Sequence, residues 1–155
     1  MPATIRPAAL NDVPAILAIE RPASSAAHWS SDQYNKLIAN ENGIVLVAET
    51  SAAADEPGKL SGFLCAHAIA GEWEIENIVV AADFLRQGIA SDLVRALTQR
   101  AKSQTALAIL LEVRESNHPA RALYEKHGFR ETGRRPAYYL NPIEAAILYA
   151  LRFNR

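Results

Sequence analysis

The sequence predicts a mixed α/β fold: a mostly antiparallel sheet that holds one central parallel strand pair and carries about four helices. Three observations lead there. Half of the 155 residues are hydrophobic, enough for one domain over residues 1–155 with a substantial core. Between residues 44 and 80, three apolar, β-branched runs are separated only by short polar or glycine-containing connections, the pattern of an antiparallel meander. Between residues 74 and 95, a strand leads through a glycine-containing turn into an amphipathic helix. The strands before and after that helix are joined by a crossover, so they run parallel.

In chain order, residues 3–7 form a short first strand closed by Pro7, which lacks a backbone donor. Asn11 and Asp12 then offer helix N-caps, with Pro14 in the first turn and Val13, Ile16 and Leu17 on one face. Arg21-Pro22-Ala23-Ser24-Ser25 ends that helix. Ser30 and Gln33 make a capping-box pattern for the second helix, and Trp29 and Tyr34 are placed as a hydrophobic staple. Its core face is Tyr34, Leu37 and Ile38, and Asn42-Gly43 terminates it.

Residues 44–49 and 60–69 are the next strands, joined by an exposed hairpin loop marked by Pro57-Gly58, and residues 72–80 complete the meander. After Gly88, apolar residues recur at Ile89, Leu93, Val94, Leu97 and Ala101, which is helical spacing. Residues 106–113 are almost continuously apolar, as in a strand buried on both faces. Residues 119–127 read as a short helix with Ala120, Leu123 and Tyr124 on one side, stopped by Gly128. Residues 129–139 and 145–153 supply two final strands, with Asn141-Pro142 in the turn.

Composition excludes several classes of function. The net charge of −1 gives no general attraction to nucleic acid or to an anionic membrane. No apolar run is long enough to span a bilayer, and the N-terminus lacks a signal-peptide pattern. The single cysteine, Cys65, cannot form an internal disulfide, which fits a reducing, cytoplasmic setting. The four histidines show no ligand spacing, so no metal site is expected. Arg130, Arg134 and Arg135 form a basic patch with too few interleaved aromatics to argue for RNA.

Some residues remain that can carry chemistry. Arg86-Gln87-Gly88-Ile89-Ala90 lies at a helix N-terminus, where unpaired N–H groups and the helix dipole suit a pyrophosphate, and Gly88 permits close approach. An ordinary strand–helix connection has the same appearance. Glu112 interrupts its apolar strand near the C-terminal end, where ligands gather in open α/β sheets. Among apolar neighbours a carboxylate suits a general base; the alternative is a carboxylate exposed at the strand end or paired with Arg114. Tyr124 is either a functional phenol or a core tyrosine with its hydroxyl at the rim. Asn117 reads as a helix N-cap. Simple alternation puts Glu74 and Glu76 on one strand face, with Ile75 and Asn77 on the other, either as a substrate-facing acidic pair or as a solvated surface.

Taken together, these residues resemble the GNAT superfamily of acetyl-CoA-dependent N-acetyltransferases. Leu85-Arg86-Gln87-Gly88-Ile89-Ala90 resembles its pyrophosphate motif, with Leu85 in place of the usual first polar residue. The resemblance covers nearly the whole chain and is greatest to the RimI-type, ribosomal-protein-alanine branch. It rests on Trp29-Ser30, Glu76-Asn77-Ile78-Val79-Val80, Leu111-Glu112-Val113-Arg114-Glu115-Ser116-Asn117, Ala122-Leu123-Tyr124-Glu125-Lys126-His127-Gly128-Phe129 and Arg134-Arg135-Pro136-Ala137-Tyr138-Tyr139.

The resemblance implies acetyl-CoA as co-substrate, bound between splayed parallel strands. Ile78, Val79 and Val80 would hold the acetyl and pantetheine portion with help from Asn117, and Arg86, Gln87, Gly88, Ile89 and Ala90 the pyrophosphate. It makes Glu112 the general base and Tyr124 the general acid in direct attack of an amine within a ternary complex. Trp29, Glu76, Tyr138 and Tyr139 become candidate substrate contacts, and if Glu20, Glu74 and Glu76 line the groove they would favour a basic peptide. The implied acceptor is a protein or peptide N-terminus, such as that of a ribosomal protein, and the implied state a monomer or weak homodimer. A small-molecule amine is the alternative acceptor, and a non-catalytic acetyl-CoA-binding module the alternative class.

Overall fold

Seven strands form one sheet in the order β1-β2-β3-β4-β5-β7-β6, in a computed structural model that describes residues 3–23, 26–51, 53 and 55–154. The strands are β1 (Thr4–Pro7), β2 (Gly43–Thr50), β3 (Lys59–Ile69), β4 (Glu72–Val80), β5 (Ala108–Arg114), β6 (Arg130–Leu140) and β7 (Ile143–Arg152). The helices are α1 (Val13–Glu20), α2 (Ser31–Ala39), α3 (Ile89–Ser103) and α4 (His118–Lys126). Every neighbouring strand pair is antiparallel except β4–β5, which flanks α3 and is parallel. The expected fold class and element order are therefore the ones observed.

The sheet is covered on both faces. On one, α3 and α4 pack over Leu46, Leu64, Ile75, Ile109, Leu111 and Ile147. The five α3 positions with helical spacing, Ile89, Leu93, Val94, Leu97 and Ala101, are all buried there. Each large side chain so buried contributes about 1.5–3 kcal/mol of transfer free energy. On the other face, α1 and α2 enclose Val45, Val47, Phe63, Cys65 and Val79. The capping box of α2 is formed by Ser30 and Gln33, and the Trp29 and Tyr34 rings meet at 5.2 Å, as the staple requires.

Two local expectations are corrected. Asp12 does not cap α1 with its side chain. Its carboxylate turns back to the Ala9 N–H at 2.7 Å and takes both guanidinium nitrogens of Arg6, at 2.8 and 3.0 Å. A charged donor on β1 outbids the helix end, and the result ties β1 to the start of α1. The Arg6 guanidinium accordingly holds the Asp12 carboxyl below its usual range. Ser24 and Ser25, which were expected to end α1, lie outside the described residues, as do two residues of the 51–59 loop.

The second correction concerns β4. Its register with β3 slips between the Cys65–Asn77 and Ala66–Ile75 pairs, leaving Glu76 as an extra, unpaired residue. A bulge of this kind restarts the alternation. Ile75 packs in the α3–α4 core, whereas Asn77 turns to the α1–α2 side with Val79. Asn77 therefore shares the face of the glutamates rather than that of Ile75.

Candidate active site

The bulge also ends the parallel pairing. β4 and β5 are in register only from Glu72–Ala108 to Ile75–Leu111. Beyond that point β4 stays bound to β3 as far as Val80, and β5 to β7 as far as Arg114. The two strands thus part, and the backbone edges of residues 77–80 and 112–114 face each other across a gap instead of pairing. An edge of unpaired N–H and C=O groups in the middle of a sheet is a ready binding surface for an extended ligand. Ile78 and Val80 are half-buried against the α3–α4 core beside it, while the Val79 side chain is committed to the opposite core, which leaves Val79 only its backbone to offer.

At the mouth of this gap β4 runs through a short turn into α3. Arg86 and Gly88 both have left-handed backbone, at φ 63° and 82°, an arrangement that turns successive N–H groups toward one point. Gly88 is the N-cap residue and makes no side-chain cap. Asp92 N–H is the first α3 donor bonded to Gly88 O, at 3.0 Å, so the N–H groups of Ile89, Ala90 and Ser91 are the orphans of the helix end. A Cβ built on Gly88 meets nothing within 4 Å. Open space above unpaired donors at a helix N-terminus is what a pyrophosphate needs.

Glu112 lies on the opposite face of β5 from Ile109, Leu111 and Val113, which belong to the α3–α4 core. Its side chain is 21% exposed, and its Oε1 lies 3.3 Å from Arg135 Nη2 on β6. The expected apolar surroundings are not what the chain provides. A hydrogen bond to Glu112, and its charge, push the Tyr138 phenol up, and Glu74 adds a smaller effect of the same sign. Arg114, the partner considered from sequence, instead pairs with Glu144 at 3.4 Å and stacks over Tyr139 at 4.3 Å.

Tyr124 comes from the other face. Its ring is 4% exposed and packs near Phe129 and Tyr149, with centroids at 5.6 and 6.3 Å. The end of α4 fixes it: Phe129 N–H bonds Tyr124 O at 3.0 Å and Gly128 N–H bonds Glu125 O at 3.1 Å. With Gly128 at φ 91°, this is a Schellman motif whose apolar contact is the Tyr124–Phe129 ring pair. Burial pushes the Tyr124 phenol well above its ordinary range, so it stays protonated. At the start of α4 the Asn117 carbonyl oxygen accepts from Ala120 N–H at 3.3 Å, confirming the cap and leaving its amide N–H groups for other partners. Tyr149 anchors the helix, accepting from Arg121 at 3.0 Å and donating to Glu125 at 2.7 Å.

The acceptor-side expectations divide. Trp29 is half-buried on the α1–α2 face, Tyr138 is exposed and Tyr139 half-buried on β6, and Glu76 pairs with His67. Glu74 has no ion pair among the described residues. Glu20 does not line a groove: it is 2% exposed and accepts from Trp29 N–H at 3.1 Å and from the Tyr34 hydroxyl. Asn77 clamps the same segment, donating to Ala27 O at 3.0 Å and accepting from Ala27 N–H at 3.3 Å. The Asn77 clamp was missed because the bulge is invisible in the residue pattern. Glu20 carried a legible signal, since Val13, Ile16 and Glu20 share one helical stripe and all three are buried. Also unforeseen is the 3.0 Å contact of His127 Nε2 with Ser91 Oγ, which joins the end of α4 to the first turn of α3. Burial, with Arg95 and Lys126 nearby, holds the His127 pKa down.

Among the described residues no group of three or more His, Cys, Asp or Glu could hold a metal ion, and no helix is long and apolar enough to cross a membrane. The sequence profile of the acetyltransferase (GNAT) family matches residues 12–129. A Bacillus subtilis (strain 168) protein, named as a candidate [ribosomal protein bS18]-alanine N-acetyltransferase, is 30% identical over 153 residues, covering 98% of this chain and 97% of the relative. The crystal structure of the ribosomal-protein-S18-alanine N-acetyltransferase from Escherichia coli superposes with a TM-score of 0.85 at 30% identity, over 99% of this chain and 95% of that one. That of Arabidopsis thaliana NAA60 in complex with acetyl-CoA superposes with a TM-score of 0.88 over 99% of both chains, a likeness of fold at 18% identity.

Proposed function

The chain belongs to the acetyltransferase (GNAT) family, and on that premise we propose that its acceptor is the α-amino group of a protein N-terminus, of the ribosomal-protein-alanine type. It is an acetyl-CoA-dependent N-acetyltransferase. Acetyl-CoA supplies the activated acetyl thioester. The chain fits it with the open cradle over Gly88 and with the strand gap that leads from there toward Glu112.

One observation carries the reading: the Glu112 side chain projects from the face of β5 opposite the α3–α4 core, and the pairing of β4 with β5 stops just before it, opening a gap between that face and the α3 side. The thioester end reaches the gap from the α3–α4 side, with Ile78, Val79 and Val80 offering backbone groups and Asn117 its amide. The acceptor reaches it from the α1–α2 side, between Trp29 and the Tyr138–Tyr139 segment. Glu112 takes the ammonium proton. Tyr124, protonated throughout the working range, donates a hydrogen bond to the departing sulfur. Its raised pKa makes complete proton transfer harder than ordinary phenol and thiol values of about 10 and 8.5 would suggest.

The chemistry of the base favours an α-amine. With a pKa of about 7.8, such an amine is about one-third neutral at pH 7.5, whereas a lysine near 10.4 is about 0.1% neutral. The difference is about 3.5 kcal/mol that a single carboxylate does not have to supply. Glu74, near Tyr138 and without an ion pair among the described residues, favours a basic residue following the N-terminal one, and the whole-length likeness to the Bacillus subtilis relative supports a ribosomal protein in the cytoplasm as the source.

The test is CoA release from acetyl-CoA with a basic peptide starting in alanine, against the same peptide with a blocked N-terminus. Release with the free N-terminus alone is the expected result. Release with neither, from protein that still binds acetyl-CoA, would overturn the reading and direct attention to small amines.

A further inference from the structure

Arg135 sits on the edge strand β6, separated from β5 by β7, and its side chain is 55% exposed. Even so, its guanidinium reaches Glu112 across the intervening strand at 3.3 Å. Just after it, the register between β6 and β7 slips between Arg135 and Tyr139, with Ala137 at φ 51°. This irregular stretch carries Tyr138, whose ring lies 5.6 Å from the Arg135 guanidinium. The neighbouring arginines have other partners. Arg134 binds Glu115 at 3.1 Å, and Arg114 binds Glu144. Arg135 is the cation paired with the carboxylate at the gap among the described residues.

We infer that Arg135 is a stand-in for the acceptor ammonium, holding Glu112 as an ion pair between turnovers and leaving when a cationic N-terminus arrives. The inference rests on the reading of Glu112 as the group that receives the amine. The guanidinium lies on Oε1, and an ammonium arriving at the same carboxylate is repelled by it, so the arriving group is held best once the guanidinium has moved away. Arg135, on a long and half-exposed side chain, leaves at small cost.

The reaction then resets the exchange. An ammonium and an acetyl thioester become an amide, a thiol and one proton. The C–S bond breaks, the C–N bond forms, and the proton taken by Glu112 passes to solvent. The product amide carries no charge, so it holds Glu112 far less strongly than the ammonium did, and Arg135 returns. Arg135 therefore acts against the cationic acceptor specifically, as a positioning residue for Glu112 that sets how strongly a free N-terminus is held.

The experiment measures equilibrium binding of the alanine-starting basic peptide, free and N-acetylated, to protein saturated with CoA, which cannot acylate. Wild type, Arg135→Gln and Arg135→Lys are compared. The expected result is that Arg135→Gln binds the free peptide about two- to fivefold more tightly, the size of an exposed ion pair. The acetylated peptide should bind unchanged, and Arg135→Lys should behave as wild type. Unchanged or weaker binding of the free peptide by Arg135→Gln would overturn the inference. So would an equal change for both peptides, which would indicate a repacked hairpin. If the wild type also fails to turn over the free peptide, the α-amine reading falls and takes this inference with it; turnover by the wild type with no gain in Arg135→Gln removes the stand-in alone.

Discussion

Tyr124 is held by more contacts than a rim tyrosine needs. Its ring is wedged near Phe129 and Tyr149, and its backbone carbonyl closes the Schellman motif. Its hydroxyl has no hydrogen-bond partner among the described residues, although burial raises its pKa well above that of a free phenol. Without such a partner, that hydroxyl is free to donate to a ligand that accepts from it. Tyr124→Phe removes only that oxygen. The expected outcome is a kcat lower by about 10²-fold or more, with a much smaller change in the acetyl-CoA KM and no loss of thermal stability. Steady-state kinetics beside a melting curve check both halves. An unchanged kcat would remove Tyr124 from the mechanism.

At the scale of the element, β4 does three things with one extra residue. The bulge at Glu76 ends the pairing with β5, opens the gap and turns Asn77 to the α1–α2 face, where it clamps Ala27. With Glu20 on Trp29, this ties the segment proposed as one wall of the acceptor side to the strand proposed to hold the thioester. Asn77→Ala should destabilise the fold by about 1–3 kcal/mol, because it removes both part-buried hydrogen bonds to Ala27 and the one to the Tyr34 hydroxyl. Under conditions where the variant is folded, it should raise the acceptor KM several-fold and leave the acetyl-CoA KM alone. Equal changes in both constants would show a general loosening instead. The strands themselves were legible from β-branched runs, and the parallel pair from the helix between them, because both follow from periodicity and chain connectivity. The bulge was not. Nothing in Glu76-Asn77 distinguishes an unpaired residue from a paired one, since register is decided by the partner strand. Alternation read without it therefore assigned Asn77 to the wrong face.

For the whole molecule, the site is a seam. The gap divides the sheet into a β1–β4 part and a β5–β7 part, joined by the four paired positions from Glu72–Ala108 to Ile75–Leu111 and by the helices packed across them. The turn through Gly88 into α3 was readable in the sequence because it is local: strand, glycine and helix start are consecutive stretches of chain. The surroundings of Glu112 were not, because Arg135 and Tyr138 arrive from a strand more than twenty residues further along the chain. A ligand that fills such a seam binds both parts at once, and only the folded chain offers it. Acetyl-CoA at about one hundred times its Kd should therefore stabilise the protein by about 2.7 kcal/mol. For a chain of this length that is about 5–10 °C in Tm. Gly88→Ala separates the cradle from the rest. A Cβ there meets no protein atom, so the free variant loses only the strain of a left-handed alanine, about 1–2 kcal/mol. The acetyl-CoA-dependent rise, measured at the same ligand concentration, should shrink well below that of the wild type, because the methyl group projects where the pyrophosphate is expected. S-acetylpantetheine, which lacks the pyrophosphate, should shift both proteins alike. A full acetyl-CoA shift retained by Gly88→Ala would place the pyrophosphate away from the α3 N-terminus and leave the strand gap to hold the ligand alone.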